Sequence, residues 1–180
     1  MHHFNLIFYL FLLFFCSIGC NRPHLRRQLR DQIGSTVVLP EQIICIEEGS
    51  LIPIPKQILD SSKLIIYVDS TECGKCQIDN LFRYKEIMEF SDSIKSFNVI
   101  PLISVKKDDF DTIIYHLKFF KKPFPVFIDM TNSFHSLNPS VPDDARFHCM
   151  FVDTSDRVKF VGDPIQNERL KKVLYDLIIQ

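Results

Sequence analysis

Cys73-Gly74-Lys75-Cys76 is the segment whose residue types and spacing carry the most chemistry. It follows Lys63 to Asp69 (KLIIYVD), a β-branched and aromatic run of strand length, and opens an apolar pattern of helical spacing. On the first turn of a helix, residues three apart share a face, so two sulfurs there can bond and separate with little backbone movement. Cys73 would face unpaired backbone N–H groups, which stabilise an anion by about 0.3 to 2 kcal/mol and so lower a thiol pKa. Lys75 attracts a thiolate and Glu72 repels it at similar distance, which leaves the helix terminus to decide the sign. Cys73 is therefore the expected nucleophile and Cys76 the resolving thiol, shielded one turn into the helix. A permanent bridge stapling helix to strand is the other reading of the same residues. A zinc site would normally need a second Cys/His pair, and none is spaced that way. Soft thiolates also suit Cu(I), with His148 or His135 as a further ligand.

The other cysteines point to an oxidising compartment. Residues 1–19 contain no Asp, Glu, Lys or Arg, and Phe4 to Phe15 is an almost unbroken apolar run. Its length is that of a signal peptide, short of the roughly 20 residues that span a bilayer. Ser17-Ile18-Gly19 places small residues before a cut, and Cys20 follows at once. The pattern resembles a bacterial lipobox, with Ser17 where Leu is common, and the resemblance implies that Cys20 becomes the first mature residue and carries acyl chains. Arg22, Arg26, Arg27 and Arg30 come next, either against anionic head groups or on the solvated face of a helix from His24 to Ile33 ended by Gly34. Residues 20–34 are thus read as a tether and 35–180 as one domain. Cys45 and Cys149 sit in apolar runs and are expected as buried thiols, with a second bridge between them as the alternative.

The elements that must position the CxxC follow from periodicity. Ser35 to Leu39 and Gln42 to Ile46 read as short strands, then a loop through Gly49. After the strand at Lys63 to Asp69, Ser70 and Thr71 open a helix with Ile78, Leu81, Phe82, Ile87 and Met88 on its apolar face. Phe97 to Val105 is a strand in which Pro101 predicts a bulge or a missing ladder bond. Asp108 to Phe120 is a second helix, Pro125 to Asp129 a strand and Asn132 to Leu137 a helical turn. His148 to Asp153 and Arg157 to Val161 form a hairpin, and Asn167 to Ile179 closes the chain as a helix. This order predicts an α/β sheet with parallel crossovers and an antiparallel end.

Composition fits one globular domain: 180 residues, 46% hydrophobic, 24% charged, without repeats. A net charge of −1 leaves no basic field for a polyanion, so no nucleic-acid partner is expected. From Lys63 to the C-terminus the chain resembles the thioredoxin fold. Its insert at Pro123 to Leu137 resembles that of thioredoxin-like lipoproteins and TlpA-type envelope oxidoreductases. The resemblance implies an α/β thioredoxin-like fold, a central mixed sheet with flanking helices and a short N-terminal β extension. It also implies thiol–disulfide exchange by Cys73 and Cys76, without a cofactor or metal. The family's Trp and Pro around the first and second Cys are Glu72 and Lys75 here, Phe147 stands at the cis-Pro position, and Tyr67 replaces the buried acid. Glu72, Lys75 and Phe147 are accordingly expected to line or modulate the groove. The expected setting is the bacterial cell envelope, lipid-anchored and facing the periplasm, with exported cysteine-bearing proteins or a redox protein as partners. The alternative is a non-catalytic binding or accessory lipoprotein whose CxxC disulfide is structural.

Overall fold

The computed structural model describes residues 21–54, 56–94 and 96–179; residues 1–19, expected as a signal peptide, and Cys20, expected to carry lipid, lie outside them. Helix α1 (Asn21–Gln32) is followed by strands β1 (Ile43–Glu47) and β2 (Ser50–Ile52), helix α2 (Lys56–Asp60) and strand β3 (Ser62–Val68). Next come α3 (Gly74–Asn80), α4 (Lys85–Ser93), β4 (Phe97–Ser104), α5 (Phe110–Phe120), β5 (Val126–Asp129) and α6 (Phe134–Leu137). Strands β6 (Cys149–Val152) and β7 (Val158–Val161) and helix α7 (Glu168–Ile179) complete the chain. Among the described residues no helix is long and apolar enough to cross a membrane.

The strands form one seven-stranded sheet in the order β2-β1-β5-β4-β3-β6-β7. Strand β3 lies inside it because it is apolar on both faces: Leu64, Ile66 and Val68 enter one core, Ile65 and Tyr67 the other. The crossovers β3 to β4 and β4 to β5 are parallel and step the same way across the sheet. Right-handed connections stepping one way leave their helices on one face. Accordingly Ile78 of α3, Ile87 of α4 and Ile113 and Leu117 of α5 share a core with Leu174 of α7. The opposite face is covered by Phe134 of α6, by Val37 and Val141, and by the half-buried Ile58 of α2. The antiparallel end is β3 against β6 and β6 against β7, as the sequence order predicts.

Three local expectations are corrected, and of the two offered for Pro101 only the bulge is. Ser35 to Leu39 makes only one isolated bridge, Thr36 to Arg157. The buried Asn138 side chain takes the place of a neighbouring strand there: Val38 N–H donates to its Oδ1 at 2.8 Å, and its Nδ2 donates to the Val38 carbonyl at 2.8 Å. The loop expected through Gly49 is instead the turn of a hairpin, β1 with β2, in which Glu48 and Gly49 have φ of 49° and 79°. Two positive values suit a two-residue hairpin turn. A Cβ on Gly49 would meet the Lys118 carbonyl oxygen at 2.7 Å, so only glycine fits. The single helix expected after β3 tightens into a 3₁₀ turn at Leu81–Tyr84. Three residues per turn instead of 3.6 rotates Phe82 off the buried face, and it is 51% exposed. Pro101 causes no bulge: it pairs with Ile66 in a register unbroken from Ser62↔Phe97 to Val68↔Ile103. β5 pairs with β4 only from Leu102, one residue later.

The last turn of α1 packs onto the domain. Gln32 is fully buried, its Nε2 donates to the Phe147 carbonyl at 2.9 Å, and Gly34 N–H donates to Val158 at 2.8 Å. Arg26, Arg27 and Arg30 remain exposed on the same helix.

Candidate active site

β3 ends where its apolar alternation ends, and the next residues turn instead of continuing the sheet. Asp69 makes that turn: its Oδ1 accepts the Thr71 N–H at 2.8 Å and the Thr71 hydroxyl at 2.7 Å. Asp69 therefore caps the loop and not the helix, and α3 starts only at Gly74, with Cys73 as its N-cap residue. Cys73 and Cys76 are joined as a disulfide with Cα atoms 5.3 Å apart, the spacing a one-turn separation produces. Both residues are exposed, which corrects the expectation of a shielded Cys76. The short helix lies flush against α5 because Gly74 has no side chain; a Cβ there would meet Ile113 Cδ1 at 2.8 Å.

Two clefts flank this helix. The smaller, about 160 Å³, has Cys73, Lys75, Ser104, Lys106 and Asp109 among its walls. The larger, about 590 Å³, runs along the other side between Gln77, Arg83, Arg146, His148 and Asp163. Glu72 lines both. Its carboxylate is not the free surface charge read from sequence. Oε2 accepts Gln77 Nε2 at 3.0 Å, and Oε1 accepts the Asp69 N–H at 3.1 Å and lies 3.5 Å from His148 Nδ1. His148 beside Glu72 holds its carboxyl below the usual range, against burial, which pushes it up. Asp69 is likewise low: burial pushes it up, but the Thr71 donors and the Tyr67 hydroxyl outweigh that.

Tyr67 occupies the floor. It is buried, its ring lies tilted 4.9 Å from the His148 ring, and it donates its hydroxyl to Asp69 Oδ2 at 2.9 Å. Burial pushes its hydroxyl well above its ordinary pKa, so it acts as a donor and not as a charge. Phe147 is buried in the 3₁₀ turn Ala145–Phe147 before β6 and lines neither cleft, so the groove position expected of it is taken by the next residue, His148. Lys75 is exposed, on the wall of the smaller cleft. Sequence reasoning named His148 only as a copper ligand. Its ring instead meets the Pro142 carbonyl through Nε2 at 2.9 Å, while His135 pairs with Asp143 at 2.9 Å. Among the described residues no cluster of three or more His, Cys, Asp or Glu is placed to hold a metal.

The remaining thiols are set apart. Cys45 and Cys149 are free and buried in the cores on opposite faces of the sheet, so they cannot bridge each other. Burial and then Glu47 push the Cys45 thiol up to about 12, and burial raises Cys149 well above its ordinary value. Neither is a thiolate at neutral pH, which leaves Cys73 and Cys76 as the accessible sulfur chemistry among the described residues.

No family model and no curated protein matches the chain. Solved structures do. One, from Chlorobium tepidum, is assigned as thiol:disulfide interchange protein DsbE and aligns at TM-score 0.52 and 14% identity over 81% of this chain and 97% of its own. Another, from Bacteroides thetaiotaomicron and assigned as a protein disulfide isomerase, aligns at TM-score 0.50 and 14% identity over 81% of this chain and 87% of its own. This chain has a thioredoxin-like fold, with the CxxC disulfide at the start of the helix that follows interior strand β3.

Proposed function

We propose that the chain is a thiol–disulfide oxidoreductase of the bacterial cell envelope that works through Cys73 and Cys76 and is held to a membrane by lipid on Cys20. The observation that carries the reading is the exposed Cys73–Cys76 disulfide on the first turn of α3, in a thioredoxin-like fold that contains no other accessible thiol among its described residues. The names given to the two aligned proteins agree with it.

In the reduced form, Cys73 thiolate attacks one sulfur of a partner's disulfide. That S–S bond breaks, the partner's second sulfur leaves as a thiolate and takes up a proton, and Cys73 is left in a mixed disulfide. Cys76 then gives up its proton and attacks the Cys73 sulfur, releasing the partner's first sulfur, which is protonated. Two electrons pass from the Cys73/Cys76 pair to the partner, and the chain ends as the disulfide present here. Reversal oxidises a partner dithiol. Partners are exported proteins with cysteines, or a redox protein that resets the pair. Equilibration of the pair in glutathione buffers of graded ratio tests this reading.

The anchor rests on Cys20 directly after Ser17-Ile18-Gly19 and on the exposed arginines of α1, which suit anionic head groups on the periplasmic side. Intact mass of the membrane fraction is expected to show a mature chain that begins at Cys20 and carries acyl chains. An unmodified Cys20 on a soluble chain would contradict the anchor.

A further inference from the structure

His148 is nine-tenths or more buried, and its two ring nitrogens face two acceptors. Nε2 lies 2.9 Å from the Pro142 carbonyl oxygen, which can only accept, so the tautomer with hydrogen on Nε2 is assigned. Nδ1 is buried without a hydrogen-bond partner and points at Glu72 Oε1, 3.5 Å away. That contact attracts only when a hydrogen sits between the two groups, on Nδ1 or on the carboxyl. With the shared proton the pair is neutral; without it a partly buried negative charge stands one residue before Cys73.

We propose that His148 is a positioning residue for Cys73: by sharing a proton with Glu72 it neutralises that carboxylate and so keeps the neighbouring sulfur able to exist as a thiolate. The inference rests on the reading of Cys73 and Cys76 as a redox pair, and names what regulates that site. The other charges near these groups are paired elsewhere, line the smaller cleft that Glu72 also borders, or lie at the rim of the larger one. On the segment of Cys73 itself, Lys75 points to the smaller cleft, whose far wall adds Lys106 and Asp109. Asp69 is held by Thr71 and Tyr67. Across the larger cleft, Asp144 is paired with Arg146, Asp163 accepts the Tyr84 hydroxyl, and Arg83 is exposed at the rim. The depressed Glu72 carboxyl agrees with a neighbour that supplies the compensating proton.

The test is the rate at which iodoacetamide alkylates Cys73 in the reduced full chain at pH 7, site by site. His148→Gln keeps an amide that can donate to the Pro142 carbonyl but offers Glu72 no shared proton. Its Cys73 is expected to react about tenfold more slowly, one unit of thiol pKa. Glu72→Gln removes the opposing charge and is expected to react up to about threefold faster than the wild type. The double variant is expected to match Glu72→Gln, because His148 has nothing left to neutralise. A double variant as slow as His148→Gln, or a His148→Gln chain as fast as the wild type, would overturn the proposal. If His148→Gln fails to fold by circular dichroism, the wild type decides alone. In the reduced wild type the Glu72 carboxyl carbon-13 resonance is expected to shift across the pH range in which Cys73 ionises, a step absent from the disulfide form. No shift over that range would overturn the coupling. Alkylation needs only reduced thiols, so these results stand apart from whether the pair exchanges with partners.

Discussion

Serine at position 73 is expected to abolish capture of partner proteins, while serine at position 76 is expected to accumulate them as mixed disulfides. The two changes look alike structurally. Each removes the same bridge, which closes a gap of only two residues and constrains the unfolded chain little, so each should cost about 0 to 2 kcal/mol of stability. Chemically they differ. Cys73 is the N-cap of α3 and forms a wall of a cleft, whereas Cys76 lies in the helix behind it. Exposure does not separate them, since both are exposed. What separates them is that the sulfur nearer the helix terminus and the clefts is the one a partner's disulfide reaches. Without Cys76 nothing resolves the bond that forms there. Non-reducing electrophoresis with mass identification of the linked peptide reads the result. Equal trapping by both variants, or by neither, would defeat the assignment of Cys73 as nucleophile.

Asp129→Ala is expected to be the most damaging change to stability. Asp129 ends β5, is fully buried, and organises the turn into α6. Its Oδ1 accepts the Thr131 N–H at 3.0 Å and the Thr131 hydroxyl at 2.9 Å. Its Oδ2 accepts the N–H groups of Ser133 and Phe134 at 2.7 and 2.9 Å and the Ser104 hydroxyl at 3.0 Å. Alanine leaves those donors without an acceptor, each buried one at about 1 to 3 kcal/mol. Thr131 is exposed and can turn to water, so the three remaining donors together cost about 3 kcal/mol or more. Against a typical domain stability of about 5 to 15 kcal/mol, that lowers Tm by about 10 °C or more. Asparagine should fall between, with one oxygen kept and an N–H₂ facing other donors. Urea denaturation gives the value, and a loss under about 1 kcal/mol would mean that the turn does not depend on this carboxylate.

The parts of the fold that were legible in the sequence are those in which a periodic pattern meets a matching environment. KLIIYVD reads as a central strand because both of its faces are covered, and the β6–β7 hairpin reads from alternation around Ser155-Asp156. The insert at Pro123 to Leu137 supplies β5 and α6 within the predicted bounds. What stayed hidden lies in contacts between distant residues. Asn138 standing in for a strand beside Val38 leaves no local signature, and the Glu48-Gly49 turn lacks the Asn or Asp that marks such hairpins. The Cys73/Cys76 pair was legible because its chemistry is written in four consecutive residues. His148 was not, because its neighbour Glu72 is 76 residues away in sequence and adjacent only once β3 and β6 pair. Phe147 shows the limit of aligning by resemblance. A shift of one residue along the loop exchanges an aromatic groove residue for a buried imidazole.

The most direct measurement is the reduction potential of the Cys73/Cys76 pair, taken on the full mature chain by equilibration with glutathione and quantified by mass after thiol trapping. A pair that exchanges with partners is expected between about −200 and −270 mV, where both states are accessible. A potential below about −300 mV would make the bridge a fixed staple and contradict the account.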